Sequence, residues 1–304
     1  MIVTVTANAA VDRTLHVDRL VPGSLVTARE QRAQAGGKGV NVARVLHALK
    51  VPVTAVVLVG GEAGQWIVAD LERAGIPVVP VRVPGESRSC HEIVASDGTV
   101  TQLHGRGVVG SEAIARALVS TCADLAGSAG WIACCGSLAS GLPPDTAARV
   151  LAAGRRAGAA TALDTRGAAL AAGIAVGPDL LRVNRNELAE ALDLTPERAP
   201  ADARTANLSL GVVSAGDLPI LAWTADGGRF RIEPPRVVLR NPIGCGDAMM
   251  AGLLAASSAG LSIERALRRA TALAAADAES PCAGRTDVAR AEALAERVRL
   301  ERVP

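Results

Sequence analysis

Aromatic side chains are almost missing from these 304 residues: Phe230, three tryptophans and no tyrosine. Platforms that stack single-stranded bases need such rings, so that class of nucleic-acid reader is excluded. Charge is sparse and balanced, 32 basic against 30 acidic residues, and no run of five like charges occurs. No basic footprint for nucleic acid is therefore present. The four histidines (His16, His47, His91, His104) are isolated, with no HxxxH or Cys/His cluster for a transition metal. The six cysteines (90, 122, 134, 135, 245 and 282) show no CxxC spacing and read as reduced thiols of a cytoplasmic protein. Every apolar run is broken well before 18 residues, so no membrane span is expected. The opening MIVTVTANAAVD lacks a basic n-region and meets Asp12, unlike a signal peptide.

What is present is globular: 49% hydrophobic and 20% charged residues. The length suits one large α/β domain or two smaller ones. Residues 2–7 read as a buried strand. Residues 14–20 and 24–31 alternate around Pro22-Gly23, a hairpin signal. The stretch 40–50 carries Val42, Val45, Leu46 and Leu49 on one helical face. A β-rich run at 53–61 leads into a helix that stops at Gly75, and IPVVPVRV is another strand. Residues 90–104 form an alternating hairpin turned by Asp97-Gly98. Strands at 131–135, 160–164 and 180–184 then alternate with helices starting near Pro144, Arg166 and Arg185. Such alternation implies a mostly parallel sheet with helices on both faces. From 209 to 239 short strands are expected, GVVSAG, ILAWT, RFRIE and RVVLR, followed by helices at 245–259, 262–279 and 286–298. The two hairpins fall outside the alternation and suggest a small separate β-sheet.

Active sites of open α/β sheets lie at the carboxyl ends of the strands. There the sequence places Asn8 and Asp12, GGKG at 36–39, Gly136-Ser137, Asp164-Thr165, Asn184, Glu187 and GCGD at 244–247. Gly244, Cys245 and Gly246 can present backbone N–H groups at a helix N-terminus, where the dipole favours an anion. Glycine at two of these positions lets a phosphate approach closely. Asp247 then stands where a carboxylate could take the proton of a hydroxyl attacking a phosphoryl group. A helix cap is the plain alternative for Asp247, as a turn is for GGKG and a helix start for Asn184 and Glu187. Several motifs are ruled out. GGKG is followed by Val40 and lacks the Ser or Thr of a Walker A loop. GCGDAM lacks the third glycine of a dinucleotide fingerprint, and GSLASG is not a nucleophile elbow.

Taken together, NAAVD (8–12), AGGKGVNVARVL (35–46), GGEAGQWI (60–67), ESRSC (86–90), CGSLASGLP (135–143), NRNE (184–187) and NPIGCGDAMMAG (241–252) resemble the PfkB branch of the ribokinase-like carbohydrate kinases. The likeness is greatest to its phosphosugar members, the 1-phosphofructokinases and tagatose-6-phosphate kinases. The resemblance implies one ribokinase-like α/β domain over 1–304 with a β-sheet lid from about 13–33 and 86–106. It implies ATP and Mg²⁺, with a monovalent cation as a further cofactor, and a homodimer formed through the lid. It assigns Asp247 as catalytic base and the amides of Gly244, Cys245 and Gly246 as the hole for the transferring phosphoryl group. Asn184 and Glu187 would organise Mg²⁺. Asn184, Ser214, Gly216, Gly244 and Gly246 would face the nucleotide. Asp12, Gly37, Asn41 and Ser137 would hold the sugar. Lys38 and Arg88 would meet the phosphate already on the substrate, standing unpaired before each other without it.

The implied reaction is ATP-dependent phosphorylation of a ketohexose phosphate (fructose 1-phosphate, fructose 6-phosphate or tagatose 6-phosphate) to a bisphosphate. A free-sugar or nucleoside kinase and a non-catalytic sugar-phosphate binder are the alternatives. The family pattern is altered at SAGDLPI (214–220), where Pro219 replaces a glycine, and the segment before it is short. Arg182 stands where a lysine is usual, Asn8 lacks the following proline, and Cys90-His91-Glu92 occupies the lid strand.

Overall fold

The computed structural model describes residues 1–303. Its first part runs β1 (Ile2–Thr6), β2 (Ala10–Val17), β3 (Glu30–Gly36), α1 (Lys38–Ala48), β4 (Val53–Val59), α2 (Gly61–Arg73) and β5 (Val78–Arg82). β6 (Arg88–Ala95) and β7 (Val100–His104) follow. Then come α3 (Glu112–Ala126), β8 (Trp131–Cys135), α4 (Thr146–Arg156), β9 (Ala160–Asp164), α5 (Gly167–Ala175), β10 (Leu180–Asn184) and α6 (Arg185–Leu192). The chain ends with β11 (Leu210–Ala215), β12 (Leu218–Trp223), β13 (Arg229–Glu233), α7 (Cys245–Ser258), α8 (Ile263–Ala278), α9 (Val288–Ala295) and β14 (Arg299–Val303).

Ten strands form the main sheet in the order β14-β13-β12-β11-β10-β9-β8-β1-β4-β5, and four form a small sheet, β3-β2-β6-β7. From β5 to β11 the neighbours are parallel, and from β11 to β14 they are antiparallel. Side chains alternate between faces of a strand, and β4 shows the consequence. Val53, Ala55, Val57 and Val59 join the apolar layer that includes α1, α2, α7 and α8. Val56 and Leu58 join the opposite layer with α3, α4, α5 and α6. A strand buried on both faces has no polar register, which is why these segments read as unbroken Val/Ile/Leu runs. No helix among the described residues is long and apolar enough to cross a membrane.

The predicted ribokinase-like layout, with helices on both faces and a small β-sheet apart, matches this architecture. Three local expectations fail. The strand at 24–31 is mostly loop, and pairing begins only at Glu30. Its Leu25 is 97% exposed, so alternation there serves no buried face. RVVLR forms no strand, and Val238 and Leu239 lie exposed. The edge of β13 is instead taken by β14, with Ile232 opposite Leu300. The helix expected over 286–298 is shorter, running from Val288 to Ala295, and the charged segment after it supplies β14.

α7 and α8 approach closely because Gly252 has no side chain; a Cβ there would lie 2.7 Å from Ala270 Cα. Backbone cannot yield as a flexible side chain can. Gly252→Val is therefore expected to destabilise the fold by about 1–3 kcal/mol, read as a lower midpoint in urea unfolding. An unchanged midpoint would show that the two helices part at no cost.

Candidate active site

Parallel strands deliver their carboxyl ends to one edge of the sheet, and the first turn of α7 comes to the same place. α7 begins at Gly244, whose φ of +96° favours glycine, and no side chain caps its amides. The capping alternative for Asp247 therefore fails. Its Oδ2 instead accepts a hydrogen bond from Asn41 Nδ2 of α1 at 2.8 Å. Asp247 is buried, and its carboxyl is pushed up to about 7. Burial is the main cause and the charge of Asp164 the next, against the lowering effects of Lys38, Asn41 and Arg182.

Beneath it lies a chain of charges. Lys38 Nζ donates to Asp164 Oδ1 at 2.6 Å and to Glu187 Oε1 at 2.8 Å. Arg182 donates to Asp164 Oδ2 at 3.0 Å and to Ser214 Oγ at 2.7 Å. Burial alone would raise the Asp164 carboxyl, but Lys38 and Arg182 hold it below the usual range. Burial likewise opposes the Lys38 charge, yet Asp164, Glu187 and Asp247 raise its ammonium above the ordinary lysine value. This corrects the expectation that Lys38 stands unpaired before Arg88. Its ammonium is held by two carboxylates, one ending β9 and the other in the first turn of α6. Gly246 has a further use besides the one expected. The Arg182 guanidinium occupies the space where its Cβ would lie, so the glycine admits an arginine below the helix start.

Asp12 and Arg88 come together on the small sheet. Asp12 pairs in register with Gln34 and Cys90, and Ala10 with Arg88. Burial pushes the Asp12 carboxyl up to about 6, with Arg88 the main opposing charge. Arg88 Nε donates to Asn8 O at 3.2 Å, while Asn8 Nδ2 donates to Ser137 Oγ at 3.3 Å. Gly37, with φ +107°, turns the chain from β3 into α1, where a Cβ would lie 2.7 Å from Thr6 Cγ2. The amide oxygens of Asn8 and Asn41 are buried without a partner among the described residues, leaving acceptors for hydroxyls of a ligand.

On the other side, Asn184 and Glu187 form a reciprocal capping box. Asn184 Oδ1 accepts from Glu187 N at 2.8 Å, and Glu187 Oε2 from Asn184 N at 2.9 Å. Glu187 also takes the Lys38 bond, so all three oxygens are already engaged. Each still has a lone pair, which suits Mg²⁺ held through its waters and nucleotide phosphates better than an all-protein cage. Among the described residues no group of three or more acidic, His or Cys side chains could form such a cage. Ser214 is buried under the Arg182 bond. Gly216 sits at the exposed turn between β11 and β12, with φ +64°. Burial pushes the Cys245 thiol up to about 12, so its contribution is a backbone amide and not a thiolate.

Two site residues were undervalued and one was missed. Asp164 was noted only as a strand end, and Arg182 only as a substitution; their pairing across neighbouring strands is a register fact no local motif carries. Asp277 gave no signal, lying in the last turn of the alanine-rich helix α8. Its Oδ1 accepts from Thr286 Oγ1 at 2.7 Å, and a Cβ on Gly244 would lie 2.6 Å from its Oδ2. It therefore backs the turn that starts α7, and burial pushes its carboxyl up to about 7.

The family model described as pfkB family carbohydrate kinase matches residues 3–287. The chain is 33% identical over 279 residues to the 1-phosphofructokinase of Rhodobacter capsulatus, covering 89% of this chain and 88% of that protein. It is 34% identical over 292 residues to the 1-phosphofructokinase of Xanthomonas campestris pv. campestris, covering 91% of each. Among solved structures, Escherichia coli phosphofructokinase-2 in complex with substrates and products superposes with a TM-score of 0.89 at 21% identity, covering 97% of this chain and 98% of that one. A carbohydrate kinase from Agrobacterium tumefaciens does so with a TM-score of 0.78 at 24% identity, covering 99% of each. These structures share the fold, and the sequence likeness carries the family. By its match from residue 3 to residue 287, this chain belongs to the pfkB family of carbohydrate kinases.

Proposed function

We propose that the protein transfers the γ-phosphoryl group of ATP to a hydroxyl of a fructose phosphate, giving a fructose bisphosphate. The observation that carries this reading is Asp247: a buried carboxylate raised to about 7 in the first turn of α7, beside uncapped amides. A base poised near neutrality can accept the proton of the attacking hydroxyl. The amides from Gly244 to Asp247 would stabilise charge on the transferring group, in a site that excludes competing water. Bound Mg²⁺ would neutralise charge on the nucleotide phosphates, with Asn184 and Glu187 holding its waters. The 1-phosphofructokinase relatives at 33% and 34% identity support fructose 1-phosphate as the acceptor.

The pairing of Lys38 with Asp164 and Glu187 changes its proposed role. Its charge lies near Asp247 and Glu187 and would act on the transferring phosphoryl group. Arg88, beside Asp12, remains the reader of the phosphate that the substrate brings, through its planar fork of donors. The small sheet acts as the lid. Its Asp12 face would cover the sugar. On the other face, Leu15 lies opposite Ile93, and Leu103 lies opposite His91 on the same side; all three are partly or largely exposed, which supports pairing with the lid of a second copy.

ADP release from Mg-ATP is expected with fructose 1-phosphate, and little with free fructose, ribose or adenosine; turnover of a free sugar or nucleoside alone would overturn the reading. Asp247→Asn should lower kcat about 10³-fold while leaving the KM for the sugar phosphate nearly unchanged. Because the base works ionised and its carboxyl is raised, wild-type kcat/KM should climb with pH up to about 7 and then level. A limb near 4 would instead mark an ordinary exposed carboxylate. Lys38→Met should cut kcat about 10²-fold with a small change in KM; a steep rise in KM at intact kcat would return Lys38 to the substrate's own phosphate. Light scattering should report a dimer, and Leu103→Glu a monomer; a wild-type monomer ends the lid-pairing idea.

A further inference from the structure

Away from Asp247, a cavity of about 460 Å³ opens between α1, the end of α2 and the segment 284–286. Its wall carries Arg44, His47, Arg73 and Arg285 against a single carboxylate, Asp70. Asp70 is committed: it accepts from Arg44, from Arg73 Nη1 at 3.1 Å and from Ala35 N at 2.9 Å. Three guanidiniums facing one carboxylate leave two positive charges unbalanced, with His47 beside them. Each guanidinium also keeps spare donors. Arg44 bonds through Nη2 to Asp70 and to Ala35 O, Arg73 through Nη1 to Asp70, and Arg285 through Nε to Gln34 Oε1 at 3.1 Å. Arginine has five N–H donors in a planar fork, so the remainder can converge on tetrahedral oxygens. None of these four side chains is used by the proposed reaction.

We propose that this cavity is a second anion site, which takes the phosphate group of a small metabolite, or free phosphate, and lowers the affinity of the catalytic site for its sugar phosphate. The binding half stands by itself, and the regulatory half rests on the functional reading above. Arg285 carries the connection. It also lines a second cavity, of about 240 Å³, with Asp12, Arg32 and Gln34 on the sugar side of the small sheet. Gln34 in turn donates to Ala283 O at 2.9 Å and lies opposite Asp12 in register. Next to it, Gly284 packs against Asn41, with a Cβ position 3.1 Å from Asn41 Cα. Thr286 holds Asp277 behind the α7 turn. An anion that draws Arg285 away from Gln34 removes a positive charge from the wall of the sugar-side cavity and frees the side chain facing Asp12. A phosphorylated substrate then binds less well.

The test compares the wild-type chain with His47→Glu and Arg73→Ser, two exposed positions outside the catalytic machinery. His47→Glu places a repelling carboxylate in the cavity without touching the Asp70 pairs. Inorganic phosphate and sn-glycerol 3-phosphate are titrated calorimetrically into each protein. One more equivalent of one or both ligands is expected on the wild type than on either variant, the tighter ligand naming the source of the phosphate group. At saturation the KM for the sugar phosphate should rise about fivefold in the wild type beyond any rise in the variants, with turnover in the absence of added anion alike in all three. Equal stoichiometry in the three proteins overturns the site. An extra wild-type equivalent with no excess change in KM overturns the coupling. Should no sugar phosphate be turned over at all, the stoichiometry still decides the site, and the failure belongs to the functional reading alone.

Discussion

The site depends on one buried arrangement of charge: the Lys38 ammonium held between Asp164 and Glu187, with Arg182 on the far side of Asp164. Carboxylates this dry are unfavourable alone, and they persist because two cations share them. The sharing is uneven, and the unevenness is useful. Asp164 has both cations in direct contact and stays ionised. Asp247 has neither; it receives one amide hydrogen bond and the repulsion of Asp164, so its proton is held until near neutrality. Two carboxylates pushed in opposite directions by their surroundings are suited to different work, one structural and one chemical.

Sheet topology supplies these partners. Asp164 ends β9, Arg182 lies on β10 and Ser214 on β11, three parallel neighbours whose ends advance together. Lys38 and Asn41 enter from α1 and Asp247 from α7, two helices packed on the same face and against each other. The glycines around them are spaces for particular groups. Gly246 admits the Arg182 guanidinium, and Gly244 admits the Asp277 carboxylate and Ala283. Side chains at either position would push the start of α7 away from the charges below it.

Much of this was legible in the sequence, because strand ends can be found from apolar runs and their terminating polar residues. Asp164 and Asn184 were located that way, Asp247 by the glycine turn before an apolar helix, and the parallel sheet followed from alternation. What stayed hidden was pairing across strands. Nothing in ATALD or LLRVN says that Asp164 will hold Arg182 and Lys38, because register depends on the whole sheet. Lys38 was therefore assigned a free charge that it does not have. Asp277 was invisible for a related reason: in an alanine-rich helix its isolated carboxylate resembles a solvent-facing residue, yet it is fully buried. At the sheet edge, RVVLR has better strand composition than the charged RLERV, but only the latter reaches the free side of β13.

The small sheet has a further consequence. β2 and β6 run parallel although 70 residues of other structure separate their partners, so the sheet is stitched from two excursions of the chain. It meets the body at four crossings, after β1, before α1, after β5 and before α3. Two of these crossings are themselves site: residues 7–9 carry Asn8, and residues 36–38 carry Gly37 and Lys38. On the proposed reading of the small sheet as a lid, its closure would act directly on Lys38, and through it on the carboxylates beneath. A lid and a catalytic centre that shared residues 36–38 of backbone would have no need of a messenger between them.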